Sequence, residues 1–227
     1  MLLFNATSIQ MAIAILVAVL LGMTVHEFAH NYVGYLMGDP VPAREGRLTL
    51  DPRVHINWFG FLMFVLIGFG ILGQAPISAY RMRNPRWGYM AAVAAGPLSN
   101  LLLAALFAIP LRLLNLPART LFDAVFFGST SNPMESLGLL FGQIVFWNVL
   151  LFVFNMLPFF PIDGWHIVLA LLPPDLAYTW QRHAQTSQFI LFGLILLSFA
   201  RIPGLNILSM IISQPAFSIT FFLLGLR

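Results

Sequence analysis

The sequence predicts an all-α polytopic membrane protein, and three observations support that fold class. Of the 227 residues, 59% are hydrophobic. Only 8% are charged, whereas a soluble domain carries roughly 25%. The mean hydropathy is +0.87, and apolar stretches recur that approach or exceed the roughly 20 residues of a membrane-crossing helix. So little charge cannot cover a water-facing surface, so we expect one compact bundle in a lipid bilayer.

Five stretches are candidates for spanning helices. They run over about 9–37, 87–111, 137–157, 187–200 and 205–224. A sixth apolar stretch, 58–73, is short and rich in glycine, which predicts a thin span or a re-entrant segment. Residues 46–57 combine a short alternating pattern with an Asp-Pro turn, which predicts a small β-hairpin at the membrane edge. We expect one integral-membrane domain over 1–227, with a core at about 9–172 and peripheral helices at about 185–226.

The polar composition limits the chemistry. There are no cysteines, so metal ligands would have to be His, Asp or Glu. The net charge of +3 comes from 11 basic residues, all of them arginine. They form no basic run with interleaved aromatic residues, so we expect no nucleic-acid partner. The sequence does not indicate an oligomeric state.

The strongest motif lies inside the first apolar stretch and reads His26-Glu27-Phe28-Ala29-His30. Positions i and i+4 share one helix face, so His26 and His30 can bind one metal ion. Glu27 lies beside that face, where a carboxylate can act as a general base toward water. The alternative is a polar seam in which the two histidines are hydrogen-bonded partners of Glu27. Three ionisable groups within a membrane segment favour the metal site, because such groups are costly there and usually functional.

A hydrolytic zinc site needs a third protein ligand and an open position. Asp163 is a candidate because it follows an apolar stretch that Pro158 and Pro161 should break, with Gly164 permitting a turn. A broken helix at membrane depth can aim a carboxylate into a cavity. From its context alone, Asp163 is equally suited to capping the next short helix.

These motifs resemble the site-2 protease family of intramembrane zinc metalloproteases. The resemblance covers about residues 20–172 and rests on HEFAH at 26–30, AGPLSN at 95–100 and NMLPFFPIDG at 155–164. It implies one Zn²⁺ per chain, bound by His26, His30 and Asp163, with Glu27 as the catalytic base. The family's asparagine ahead of the prolines falls on Asn155, which implies a role in holding the substrate backbone. The expected form is compact and prokaryotic, without a PDZ-like or regulatory domain.

Two further histidines have open roles. His166 follows Asp163 closely and would be either an additional ligand or a capping or interfacial residue. His55 lies in the expected hairpin and would face either the substrate cleft or the membrane interface.

The third ligand also predicts the topology. His30 lies near the C-terminal end of the first stretch, and Asp163 follows the stretch at 137–157. If both bind one ion, an even number of crossings separates them, so 58–73 should not cross. Eight of the 11 arginines then share one side. The positive-inside rule makes that side cytosolic, at the inner (cytoplasmic) membrane of the cell. The N-terminus would be outside, the C-terminus inside, and the metal toward the cytosol.

The expected function is cleavage of a peptide bond in or near the transmembrane segment of a membrane-protein substrate. Two alternatives belong to other classes: a zinc-binding transporter or sensor, and an inactive scaffold that binds single-span proteins. A transporter should carry acidic or histidine residues in several spans, whereas here they concentrate at one site. A scaffold would be expected to have lost Glu27 or a ligand.

Overall fold

Helices account for most of the chain in the computed structural model, which describes residues 6–68, 70–200 and 206–226. In chain order they are α1 (Ile9–Leu36), α2 (Val41–Arg44), α3 (Pro52–His55), α4 (Trp58–Ile67), α5 (Pro85–Leu113), α6 (Ala118–Phe127), α7 (Pro133–Asn155), α8 (Asp163–Leu171), α9 (Pro174–Arg182), α10 (Ala184–Ala200) and α11 (Ile207–Leu224). A single 3₁₀ turn covers Ala79–Arg81.

Four helices in the described residues are long and apolar enough to cross a membrane: α1, α5, α7 and α11. Helices α9 and α10 meet at a bend of 54° and together would make a fifth span. This agrees with the expected number of about five. The last stretch was expected to begin at residue 205, which lies outside the described residues, and its helix is described from Ile207 onward.

The long helices begin where short polar side chains can satisfy the free N–H groups of a first turn. The side chains of Ser8, Asn84 and Asn132 accept hydrogen bonds from the backbone N–H groups three residues further on, at the starts of α1, α5 and α7. Proline occupies the first position of α5 and α7, where its missing N–H costs nothing.

Helices α1, α5 and α7 pack against one another and form the centre of the protein. Fully buried alanines such as Ala18, Ala92 and Ala104 let the backbones approach closely. Two arginines of α5 bind the C-terminal ends of α8 and α11 through hydrogen bonds. Arg86 donates to the carbonyls of Ala170 and Leu172, at the end of α8. Arg112 donates to two carbonyls at the end of α11.

The predicted β-hairpin at 46–57 is wrong. No strand occurs among the described residues, and the segment instead contains α3, with the Asp51 side chain accepting from the N–H of Arg53 and Pro52 in the first helical position. The Asp-Pro pair therefore starts a helical turn. The alternating residues at 47–50 have no neighbouring strand in the described structure, so they cannot form the backbone hydrogen bonds of a β-sheet.

The apolar stretch at 58–73 begins as a helix and then returns to its starting point. Helix α4 ends at Gly68, whose positive φ of 86° suits glycine. The chain then comes back until the N–H of Asn57 donates to the carbonyl of Leu72, beside an isolated β-bridge between Ile56 and Gly73. Both ends of the stretch therefore lie together, which is the geometry that a re-entrant segment requires.

Candidate metal centre

The two motif histidines lie on the inner face of α1 and are oriented by α5. Both are buried, and their Nε2 atoms are 2.9 Å apart. The Nδ1 atom of His26 lies 2.7 Å from Oδ1 of Asn100, and the Nδ1 atom of His30 lies 2.8 Å from the carbonyl oxygen of Ala92. The helical spacing thus produces one pair of converging nitrogens, and the neighbouring helix holds both rings from behind.

Asp163 reaches the same point from the broken end of α7. That helix ends at Asn155, and the following turn leads into α8, which starts at Asp163. A Cβ atom on Gly164 would lie 2.6 Å from the backbone carbon of Met156, so only glycine allows the chain to turn back this tightly. The expected helix break is confirmed, and it aims the Asp163 carboxylate at α1.

Three electron-pair donors converge here. The Oδ2 atom of Asp163 lies 3.2 Å from Nε2 of His26 and 3.4 Å from Nε2 of His30. One ligand atom from each of the three residues fits within 4.8 Å of the others. Because the Nδ1 atoms face oxygen acceptors, they carry the protons and leave lone pairs on both Nε2 atoms. Two lone pairs and a carboxylate oxygen this close repel one another unless a cation lies between them.

This donor set fits zinc. Two imidazoles and one carboxylate are the ligand types of a catalytic zinc site, which keeps a further position open. The far nitrogen of each imidazole ring is hydrogen-bonded, which is the usual surrounding of a metal-binding histidine.

Glu27 shares a cleft with these three residues. The cleft has a volume of about 510 Å³, and its wall combines the three candidate ligands with apolar side chains of α7 and α10 and with the returning segment at 70–75. Glu27 is only 4% exposed, and its Oε2 atom has no hydrogen-bond partner among the described residues. The backbone at Gly73 lies directly against it, since a Cβ there would be 2.7 Å from the carboxyl carbon. A buried, unpartnered carboxylate beside a metal centre can accept a proton from water.

The other predicted residues have varied surroundings. Asn155 lines the cleft, and its Nδ2 atom donates to the carbonyl of Leu151 one turn earlier. His166 also lines the cleft but stands outside the three-ligand group, with its ring edge-on to Tyr89 and Phe160. His55 is buried beneath the surface, with Nε2 only 2.6 Å from the carbonyl oxygen of Thr49.

Some supporting residues had only weak signals in the sequence. Asn100 ends the AGPLSN motif, but the motif gives no indication that the side chain contacts His26. Gly96 allows α5 to approach the histidines, since a Cβ there would overlap the ring of His30. Asp39 is fully buried just beyond α1 and accepts from the N–H groups of Val41 and Ser78 and from Arg81. A lone aspartate after a Gly gives no hint of such a contact.

Comparison with known proteins gives two named relatives with high coverage. The chain is 32% identical over 178 residues to "Putative zinc metalloprotease YwhC" of Bacillus subtilis (strain 168), a match that spans 78% of this chain and 77% of that protein. It is 31% identical over 194 residues to "Putative zinc metalloprotease Rip2" of Mycobacterium tuberculosis (strain ATCC 25618 / H37Rv), spanning 82% of this chain and 66% of that protein. Neither a family model nor a solved structure matches the chain.

A helical membrane scaffold, a His-His-Asp donor set and these relatives together define a zinc metalloprotease. More narrowly, the chain belongs to the site-2 protease family, and zinc is its cofactor.

Proposed function

We propose that this protein is an intramembrane protease that hydrolyses a peptide bond in or near the transmembrane segment of another membrane protein. The observation that carries the proposal is the convergence of His26, His30 and Asp163 beside Glu27, in a cleft bounded by membrane-length helices. In this proposal the three residues hold the zinc ion, Glu27 is the catalytic base, and the whole chain, 1–227, acts as one protease domain.

Zinc, when bound, would supply Lewis-acid polarisation of water and of the scissile carbonyl. Glu27 would take a proton from water and deliver it to the leaving nitrogen. Its position favours this role, because Glu27 is buried in the cleft that His26, His30 and Asp163 also line. Asn155 would hold the substrate backbone through its side-chain amide, from the wall of the cleft.

The substrate must present an unwound peptide, because a helix hides its amides in internal hydrogen bonds. The returning segment at 70–75 lies beside Glu27 and lines the cleft. We place the pairing of an extended peptide along this segment, in the manner of strand addition.

The proposed topology puts the N-terminus outside, the C-terminus in the cytosol and the metal toward the cytosolic side of the inner membrane. Two features support it. The stretch at 58–73 returns to its start at Asn57 and Leu72, and among the described residues between His30 and Asp163 only α5 and α7 are long and apolar enough to cross. The arginines are then distributed eight to three, as the positive-inside rule requires.

The test is Glu27→Gln in purified protein reconstituted with a panel of single-span model substrates whose helices carry a central Gly-Pro pair. We expect loss of cleavage with zinc content unchanged at about one per chain. Glu45→Gln, at an exposed site, is the matched control and should cleave like the parent. Undiminished cleavage by Glu27→Gln would exclude the base role. A parent that binds zinc and cleaves no member of the panel would favour the transporter or sensor. A parent that lacks both properties would favour the scaffold.

A further inference from the structure

Three side chains form a continuous hydrogen-bonded chain across the helices that carry the metal centre. The Nδ1 atom of His26 on α1 lies 2.7 Å from Oδ1 of Asn100 on α5. The Nδ2 atom of Asn100 donates to Oδ1 of Asn148 on α7, at 2.8 Å. Asn100 and Asn148 have no solvent-exposed surface, so no water competes for these contacts.

The direction of every hydrogen bond in this chain is fixed by two backbone carbonyls, which can only accept. The Nδ2 atom of Asn148 donates to the carbonyl of Ile144 at 2.8 Å, so the Oδ1 atom of Asn148 must face Asn100. Asn100 donates from its own Nδ2 both to that oxygen and to the carbonyl of Gly22 at 3.0 Å. Its Oδ1 atom is therefore turned toward His26, whose Nδ1 must carry the proton.

We infer that Asn100 is a positioning residue that fixes His26 in the Nδ1–H tautomer, with Nε2 as the metal-binding nitrogen, and that Asn148 holds Asn100 in the orientation this requires. The inference rests on the proposed role of His26 as a zinc ligand. A reversed Asn100 amide would present its N–H group to the ring, turn the proton to Nε2 and block ligation. Asn148 and the carbonyl of Gly22 prevent that reversal, because it would set the Asn100 oxygen against both of theirs and leave a buried N–H without an acceptor.

Helix α1 packs closely against this network. A Cβ atom on Gly22 would lie 2.7 Å from Oδ1 of Asn148, so α1 contacts the α7 amide directly. The network thus ties α1, α5 and α7 together at the depth of the metal. His30 needs no asparagine, because its Nδ1 donates to the backbone carbonyl of Ala92.

The first experiment compares zinc affinity, measured by competition with a chelator, in purified parent and variants. Asn100→Leu removes the acceptor from the His26 N–H and should weaken zinc binding by about 10- to 100-fold, as loss of an outer-shell partner of a metal-bound histidine does. Asn148→Leu leaves Asn100 bonded to Gly22 and should weaken binding by less than about tenfold. Gln143→Leu is the matched control. It deletes another buried amide of α7, which bonds to Val125 and Trp147, and it should lower stability without changing zinc affinity.

The result that overturns the inference is an Asn100→Leu protein with parental zinc affinity, or a Gln143→Leu protein that loses as much affinity. His26→Ala distinguishes an error in the ligand assignment from an error in the positioning role of Asn100. If His26→Ala retains zinc, the ligand assignment itself fails. If it loses zinc while Asn100→Leu does not, only the positioning role fails.

A second measurement needs no variant to fold. In the zinc-loaded parent, labelled with ¹⁵N-histidine, we expect two slowly exchanging Nδ1–H protons on metal-bound rings, one from His26 and one from His30. The described partner of His26 Nδ1 is Asn100 and that of His30 Nδ1 is Ala92, so the His26 proton, once assigned, reports the contact with Asn100. Ligation through Nδ1, with the proton on Nε2, would refute the inference.

Discussion

Replacing Gly96 with alanine tests whether the close approach of α5 positions the two histidines proposed as zinc ligands. The added Cβ would overlap Cε1 and Nε2 of His30 and lie 2.8 Å from Cε1 of His26. Carbon atoms rest about 3.5–4.0 Å apart, so His26 alone would have to move by at least about 0.7 Å. His30 would have to move further and would strain its hydrogen bond to Ala92, which is 2.8 Å long.

The expected cost has two parts. Overpacking of a filled interior destabilises a protein by about 1–3 kcal/mol. A misplacement of about 1 Å in a reacting group can lower the rate by about 100-fold. We therefore expect Gly96→Ala to fold with reduced stability and to lose most zinc affinity and cleavage, measured by chelator competition and by the model-substrate panel.

The matched control is Gly193→Ala in α10. A Cβ there meets nothing within 4 Å, so the change should be neutral or should stabilise the helix by about 0.5–1 kcal/mol. If Gly96→Ala binds zinc and cleaves as well as Gly193→Ala, then the rings have room to move and the positioning argument is refuted.

Two further predictions follow from contacts near the site. Gly73→Ala would place a methyl group 2.7 Å from the carboxyl carbon of Glu27. We therefore expect cleavage to fall while zinc affinity stays close to that of the parent. Loss of zinc binding would instead mean that the segment at 70–75 supports the zinc-binding residues. Burial works against ionisation of Asp39, but the Arg81 guanidinium and two backbone N–H groups lower its pKa below the usual value. The stability it provides is therefore present above about pH 4 and declines as the pH falls toward the lowered pKa. We expect Asp39→Asn to lower the free energy of unfolding by about 1–3 kcal/mol near neutral pH. The difference from the parent, measured by denaturant unfolding, should become smaller as the pH falls. A difference that does not depend on pH would contradict the ion pair.

The spans and the re-entrant stretch were predictable because they depend on local composition and on one geometric condition. Hydropathy alone locates α1, α5 and α7, since each must present apolar side chains over a membrane-length helix. The return of 58–73 follows from requiring His30 and Asp163 to meet. The prediction of a hairpin was wrong because a strand depends on a partner that is not local. Alternation at 47–50 indicates a strand only if a partner strand exists, and the sequence of that segment does not contain one.

The candidate site was also predictable only in part. The spacing of His26, Glu27 and His30 places two nitrogens on one helix face, because four residues make about one turn. That much is determined by the sequence itself, as are the membrane class and the absence of thiolate ligands. The geometry of Asp163 required the tertiary structure, since its context suited a helix cap equally well.

Only the tertiary structure could assign Asn100 and Gly96, because their roles arise from contacts between helices that are far apart in the chain. The role of Gly96 can be assigned only once the position of the neighbouring histidine ring is known. An asparagine shows the direction of its amide only when both of its neighbours are known. Local patterns specify which helices and ligands can form, and the packing of α1, α5 and α7 decides which atoms meet and which nitrogen carries the proton.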